Sequence, residues 1–265
     1  MTLPSLAPAS LAPGFVLSPM IEADTDAAAV VYYESFKQDP ANGYWWPKAL
    51  PPLLAWCSDR MKAKLSDPLV RIFKITAGTA DGEMVAYARW DVPAGSTRFG
   101  TWIGGEGDNV DVTALVEESG GGSNGTAAAA EKKQPLTASA DAAAPAPGNY
   151  PEGGNVEIAD RFFSALNASQ KKWKTDEMLG LSLLCVSPKY SRKGIATALL
   201  APMLDIADAE GRKTYLEATA AGKPLYEKLG FHLVELLTFD WDELTKERNG
   251  LYKNWVMIRE PVTQK

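Results

Sequence analysis

Apolar and polar positions alternate along this chain with two different periods, and the changes between them predict its elements. Residues 15–21 (FVLSPMI) form a short apolar run that reads as a strand. Asp24, Thr25 and Asp26 then offer N-caps to AAAVVYYESF, which predicts a helix up to Lys37 that Asp39 and Pro40 bring to an end. A second helix is expected over 53–65. Runs at 70–76 and 83–91 are joined by 77–82, where Gly78 and Asp81-Gly82 give a hairpin signal. Residues 158–173 carry a helical pattern. The run MLGLSLLCV at 178–186 is almost continuously apolar, as a central strand buried on both faces requires, and Pro188 ends it. From Gly194 onward, Ile195, Ala198, Leu199, Met203 and Ile206 fall at helical spacing; Pro202 is expected to kink that helix and Gly211 to close it. A strand at 213–218, a short helix at 224–229 before Gly230, and strands at 231–239 and 251–258 complete the pattern.

One stretch follows neither period. Residues 104–150 hold eight Gly and eleven Ala, and seven acids against two lysines, so they carry −5 of the chain's net charge of −6. That composition predicts a flexible, solvated insert within one domain spanning 1–265 rather than a second folded unit. An acidic chain is poorly suited to general nucleic-acid binding, which needs Lys and Arg to neutralise phosphates. No apolar run approaches the roughly 18 residues that would span a bilayer. The start, MTLPSLAPASLAPGF, has three prolines and no basic residue, which reads against a signal peptide and points to the cytoplasm, with the nucleus as the other option. The two cysteines, Cys57 and Cys185, have no Cys or His neighbour at ligand spacing, and the single histidine, His232, would have to serve any zinc site or Ser/His/Asp triad alone, so no metal site is expected.

The segment VSPKYSRKGIATALL, residues 186–200, carries the chemistry. A buried strand ends, a basic loop turns, and a helix opens at a glycine. The first N–H groups of a helix lack internal acceptors, and the helix dipole is positive there, so such a turn suits a phosphate or diphosphate. Gly194 admits close approach, Ala196 keeps bulk away, and Lys189, Arg192 and Lys193 add charge at the rim. Neither G-x-x-x-x-G-K-[ST] nor G-x-G-x-x-G is present. Read by itself, the turn is equally a basic strand-to-helix connection without a ligand.

This stretch resembles the GNAT superfamily of acyl-CoA-dependent N-acyltransferases, whose acetyl-CoA motif is Q/R-x-x-G-x-G/A. Here the six positions read Ser191-Arg192-Lys193-Gly194-Ile195-Ala196: the glycine and the alanine match, and Ser191 departs from the usual Gln or Arg. The preceding strand and the later GKPLYEKLGF (222–231) match as well, with a spacing closest to fungal-type members. The resemblance implies an α/β (α+β) GNAT-like fold, a mixed and mostly antiparallel twisted sheet flanked by helices, with its acetyl-CoA core at 178–239. It implies that the cofactor arm pairs with backbone groups of Leu184, Cys185 and Val186, where 183–186 splays from 215–219. The diphosphate would rest on the N–H groups of Arg192, Lys193, Gly194, Ile195, Ala196 and Thr197, and an N–H near Leu184 would polarise the thioester carbonyl.

The resemblance also places Tyr226 as general acid to the departing thiolate; the other reading of Tyr226 is a core residue beside Phe231. The strand 178–186 offers Ser182 and no acid, a departure that leaves Glu217 as the nearest base unless it pairs with Lys213 or Arg212. Thr219 stands where relatives often hold Asn on the cofactor arm. Cys185 in an apolar strand reads as packing rather than as a nucleophile, and His232 as structural. Tyr44, Trp45 and Trp46 either pack the core or grip an apolar amine. The function expected is acetyl transfer from acetyl-CoA to a primary amine, preferably a small molecule. A protein lysine or N-terminal acetyltransferase and a non-catalytic acyl-CoA-binding module are the rivals.

Overall fold

The computed structural model describes residues 11–94, 96, 149–245 and 250–262. The expected insert at 104–150 lies outside them except at its end. There the boundary is corrected: Tyr150 stacks on Phe163, donates to Asp160 at 2.6 Å, and the Asn149 carbonyl accepts from the Trp56 indole at 2.9 Å. An aromatic ring with a hydrophobic neighbour is drawn into the core, whatever the composition of the preceding chain.

The elements run β1 (Phe15–Pro19), α1 (Thr25–Phe36), α2 (Pro40–Trp45), α3 (Leu50–Leu65), β2 (Val70–Ala77), β3 (Met84–Asp91), α4 (Val156–Trp173), β4 (Leu179–Val186), α5 (Ile195–Ala209), β5 (Thr214–Ala218), α6 (Lys223–Lys228), β6 (His232–Asp240), α7 (Trp241–Thr245) and β7 (Leu251–Arg259). Asp39 and Pro40 do not simply stop α1. The Asp39 carboxylate caps α2 by accepting from the Ala41 N–H, and Pro40 takes the first-turn position where its missing N–H costs nothing. Helix α5 runs on through Pro202 to Ala209.

Among the described residues seven strands form one sheet in the order β1-β2-β3-β4-β5-β7-β6. Every pairing is antiparallel except β4 with β5, so β4 is the central strand. One face is covered by α5 and α6: Ile195, Leu199 and Met203 pack with Tyr226 and Phe231 onto Ile75, Ala88, Leu181 and Leu216. The other face is covered by α1 and α3 over β2 to β4, where Ala28, Val31 and Met61 meet Ile72, Tyr87 and Cys185. Trp45, Trp56, Phe163, Phe239 and Trp241 form an aromatic cluster beside them. Among the described residues no helix is long and apolar enough to cross a membrane, and no group of three His, Cys, Asp or Glu could hold a metal ion.

A bidentate ion pair fixes α5 against the sheet. Arg259 on β7 donates to both carboxylate oxygens of Asp208 at 2.6 and 2.7 Å and to the Leu229 carbonyl at 3.0 Å. Burial opposes ionisation of Asp208, but Arg259 and the Val262 N–H outweigh it and hold its carboxyl below the ordinary range. Asp208→Asn leaves a buried guanidinium without its counter-charge, and urea denaturation at neutral pH is expected to show a loss of about 3 kcal/mol. A carboxyl with a depressed folded pKa contributes stability above its unfolded pKa and loses it as pH falls through the folded value. The gap between wild type and variant therefore narrows on acidification.

Candidate active site

The central strand carries a bulge that determines what it presents. Leu181 pairs with Trp90 and Leu183 with Arg89, so Ser182 is an extra residue in β4. The Ser182 hydroxyl accepts from the Arg89 Nε at 2.8 Å and donates to the Arg89 carbonyl at 3.1 Å, which pins the bulge. Hydrogen bonds on either side show the effect. The Leu179 N–H donates to Lys213 toward β5, whereas the Ser187 N–H donates to Val85 toward β3. Both residues are odd-numbered, and strand backbone alternates direction with period two, so the bulge has reversed the phase. Side chains reverse too: Leu179 and Leu181, then Leu184 and Val186, lie on the α5 face, and Leu183 and Cys185 on the opposite one.

Beyond the bulge β4 and β5 part. Their pairing covers Leu179↔Thr214, Gly180↔Tyr215 and Leu181↔Leu216 and stops there. β4 still pairs with β3 as far as Val186, and β5 with β7 as far as Ala218. The gap between them is edged by the N–H and C=O groups of Leu184 and Val186, since those of Leu183 and Cys185 point into β3. The expectation for Cys185 is corrected accordingly: its backbone belongs to the ladder with Tyr87, its side chain is sealed in the core, and burial pushes its thiol well up. The strand was expected to be buried on both faces throughout; Ser182, Leu183, Leu184 and Val186 are instead half-buried along the gap.

At the end of β4 the chain turns through a short 3-10 segment, Pro188–Tyr190, into the glycine that opens α5. Arg192 has φ 60° and Gly194 φ 76°, both left-handed, which costs a residue with a side chain but not glycine. The helical ladder starts with the Ala198 N–H donating to the Gly194 carbonyl at 3.0 Å, so the N–H groups of Ile195, Ala196 and Thr197 precede any intrahelical bond. Gly194, Arg192 and Lys193 are exposed and Ile195 is anchored in the core. Lys189 pairs with Glu83 at 3.3 Å, and Glu83 accepts from the Tyr190 hydroxyl at 2.8 Å. Lys193 lies over the Tyr190 ring. The basic rim thus stands on one tyrosine, at the same end of β4 as the gap.

Tyr226 on α6 packs on this same face. Its ring meets Phe231 edge-on at 5.9 Å and seats against Gly222, where an added Cβ would come within 2.9 Å of it. Burial, followed by the field of Cys185, pushes the pKa of the Tyr226 hydroxyl up. It is therefore a protonated phenol at neutral pH. The Thr219 hydroxyl accepts from the Gly222 N–H at 3.2 Å, holding the turn on which Tyr226 stands.

Glu217 lies on the opposite face of β5. It pairs with neither Lys213 nor Arg212, which bind Glu260 and Glu210. One carboxylate oxygen instead accepts from the Tyr215 hydroxyl at 2.7 Å and from the Gln170 amide at 2.9 Å. Burial raises its pKa against those two bonds. A carboxyl raised in the folded state contributes most stability below its unfolded pKa and loses it as pH rises through the folded value. Glu217→Gln keeps an acceptor for both donors and removes the charge. Its melting temperature relative to wild type is expected to be higher at pH 7 than at pH 4, which a thermal series across that range checks.

Trp45 is buried and the Tyr44 ring packs at a tilt on Trp241, 5.8 Å between centroids, as core residues do. His232 is an exposed residue at the start of β6. Two features escaped the sequence reading: the bulge at Ser182, which reads there only as a polar residue in an apolar run, and Arg89, which is 3% exposed. The signal for Arg89 was its place between Ala88 and Trp90 in a strand flanked by strands on both sides.

Part of the chain is similar to known proteins. Residues 157–240, from α4 to the end of β6, match the family model described as an acetyltransferase (GNAT) domain. No curated protein matches the chain. Among solved structures, a Corynebacterium glutamicum protein described as histone acetyltransferase HPA2 and related acetyltransferase shares the fold at 19% identity and a TM-score of 0.51, covering 95% of this chain and 99% of the other. The ribosomal-protein-S18-alanine N-acetyltransferase of Escherichia coli aligns at 14% identity and 0.46, covering 95% and 96%. The PaiA N-acetyltransferase of Thermoplasma acidophilum, in complex with coenzyme A, aligns at 11% and 0.46, covering 93% and 98%.

Proposed function

We propose that this chain, whose residues 157–240 match a GNAT acetyltransferase family model, acetylates a small primary amine from acetyl-CoA by direct attack at the β4–β5 gap. The observation that carries this reading is the coincidence of two features at one end of β4. Pairing with β5 ends at Leu181, and a helix opens on Gly194 immediately beyond the strand. The first leaves a slot edged by hydrogen-bonding backbone, and the second leaves free N–H groups for an anion.

In this reading the diphosphate rests on the N–H groups of Gly194, Ile195, Ala196 and Thr197, with Arg192 and Lys193 at the rim. The amides of the pantetheine arm pair with Leu184 and Val186 like an added strand. The Leu184 N–H, aimed into the gap, polarises the thioester carbonyl. The amine nitrogen forms the new bond to the carbonyl carbon and gives its proton to Glu217, directly or through water. The carbon–sulfur bond then breaks, and the thiolate takes the proton of the Tyr226 hydroxyl. A phenol held above its ordinary pKa is a willing donor only to a strong base in a dry site. The burial that raises the Tyr226 phenol also strips water from a thiolate leaving beside it and raises that thiolate's basicity, which is what transfer between them requires.

Thiol release from acetyl-CoA, with mass analysis of the products, tests the reading. Turnover with small primary amines and a 42-dalton gain on the amine is the expected result (the mass of an added acetyl group less one hydrogen, about 42). Turnover confined to lysine- or N-terminus-bearing peptides would move the assignment to a protein acceptor. Coenzyme A binding without turnover of any amine would leave a binding module.

A further inference from the structure

The proposed base stands where the sheet divides. Leu216 is the last residue of β5 paired with β4, so Glu217 is the first beyond the split, and β7 still holds it through Val256. Helix α4 reaches its side chain through Gln170. Glu217 itself is half-buried, whereas Gln170 is 8% and Tyr215 3% exposed. The two side-chain bonds to its carboxylate end on one oxygen. Oε1 accepts from the Tyr215 hydroxyl at 2.7 Å and from the Gln170 amide at 2.9 Å, and Oε2 receives neither. Two donors on one oxygen fix the plane of a carboxylate and leave the other oxygen its lone pairs.

Both donors keep their role across neutral pH. An amide does not titrate, and burial, followed by the charge of Glu217, pushes the Tyr215 phenol far up, so it keeps its proton. Gln170 is held by the turn of α4 around it. Ser169 and Trp173 donate to one oxygen of Glu235 on β6 at 2.9 and 2.8 Å, and Lys172 donates to the other at 2.8 Å. Lys172 above all, then Trp173 and Ser169, hold the Glu235 carboxyl below its ordinary range against burial, so it stays charged and grips the helix. On β3, Asp91 opposes ionisation of Glu217 and Arg89 in turn offsets Asp91; on β7 the side chains packed with Tyr215, Val256 and Ile258, are apolar. Burial raises the Glu217 carboxyl, and the bonds from Tyr215 and Gln170 pull it back.

We propose that Gln170 and Tyr215 are positioning residues for acetyl transfer: they lock Oε1 of Glu217 and so aim Oε2 at the amine whose proton it takes. Each bond also favours the charged carboxylate, which is the form that accepts a proton. The inference rests on the acetyltransferase reading, with Glu217 as its base, and adds the residues through which α4 and β5 set that base.

The test is the pH dependence of kcat, read by thiol release from acetyl-CoA at a saturating concentration of a primary amine that wild type turns over. Glu217→Gln is expected to lower kcat by about 10²-fold or more and to lose the acid limb of the profile, which assigns that limb to Glu217. Gln170→Met and Tyr215→Phe each remove one donor to the carboxylate and keep the bulk of the side chain. Loss of a donor raises the pKa of a carboxyl, so the acid limb is expected to move up by about one pH unit in each, while KM for the amine stays within about threefold. A residue that only packs would change stability, or kcat equally at every pH, and leave the limb in place. If Gln170→Met does not fold, Tyr215→Phe, which removes a single oxygen, decides alone. An acid limb unmoved in the folded variants overturns the inference and leaves Glu217 as base. A Glu217→Gln enzyme with the wild-type kcat and profile overturns the inference together with that base and leaves acetyl transfer standing. Failure of wild type to turn over any primary amine overturns the acetyltransferase reading as well.

Discussion

Tyr226→Phe is expected to lower kcat by about 10²–10³-fold while coenzyme A affinity stays within about twofold of wild type. The substitution removes one oxygen and keeps the ring that packs against Phe231 and Gly222. Stability should therefore barely change. If Tyr226 were only a core residue, its hydroxyl would be dispensable and kcat would follow stability. If it protonates the thiolate, the loss appears in the chemical step, and poorer leaving groups suffer more. Single-turnover measurement of thiol release separates these outcomes, because it isolates bond breaking from product release.

Gly194→Glu is expected to weaken coenzyme A binding by about a hundredfold or more, the largest effect on affinity of any single change here. Two causes act together. A side chain at φ 76° costs about 1–2 kcal/mol of backbone strain. A carboxylate would also stand where the N–H groups of α5 receive a diphosphate. Gly194→Ala carries the strain alone, so it should weaken binding by about tenfold at most. A negative charge at a helix N-terminus favours the helix, so the melting temperature of Gly194→Glu should drop less than that of a comparable neutral substitution. Calorimetry and thermal melts on the same samples would show affinity and stability moving apart.

The sequence made the strand-to-helix turn at Gly194 legible and left the bulge and the opposite face of β4 hidden, for physical reasons. The apolar run ending at Val186 and the helical spacing from Ile195 each repeat a strong period, and Gly194 between them has few structural uses other than a left-handed turn. The bulge at Ser182 has no such signature, because one serine in an apolar strand reads the same whether or not it adds a residue to the pairing. Yet that bulge decides which backbone groups face the gap, and it removed Cys185 from the expected set. Helices α2 and α7 are too short for periodicity to show, and Asp39-Pro40 serves both as an ending and as a beginning. Gln170 and Glu217 belong to different elements and meet only after α4 folds onto the sheet, so no local pattern pairs them. Tyr150 shows the same limit, since its docking on Phe163 depends on a helix that follows it in the chain.

The central claim is that main-chain N–H groups at the start of α5 hold the diphosphate of acetyl-CoA while the split between β4 and β5 takes its arm. Calorimetric titration of the wild-type protein with coenzyme A and, separately, with pantetheine, which lacks the diphosphate, tests it most directly. The account predicts coenzyme A binding with a dissociation constant on the order of micromolar and pantetheine weaker by about a hundredfold. Equal affinity for the two, or no heat from coenzyme A at about millimolar concentration, would contradict it.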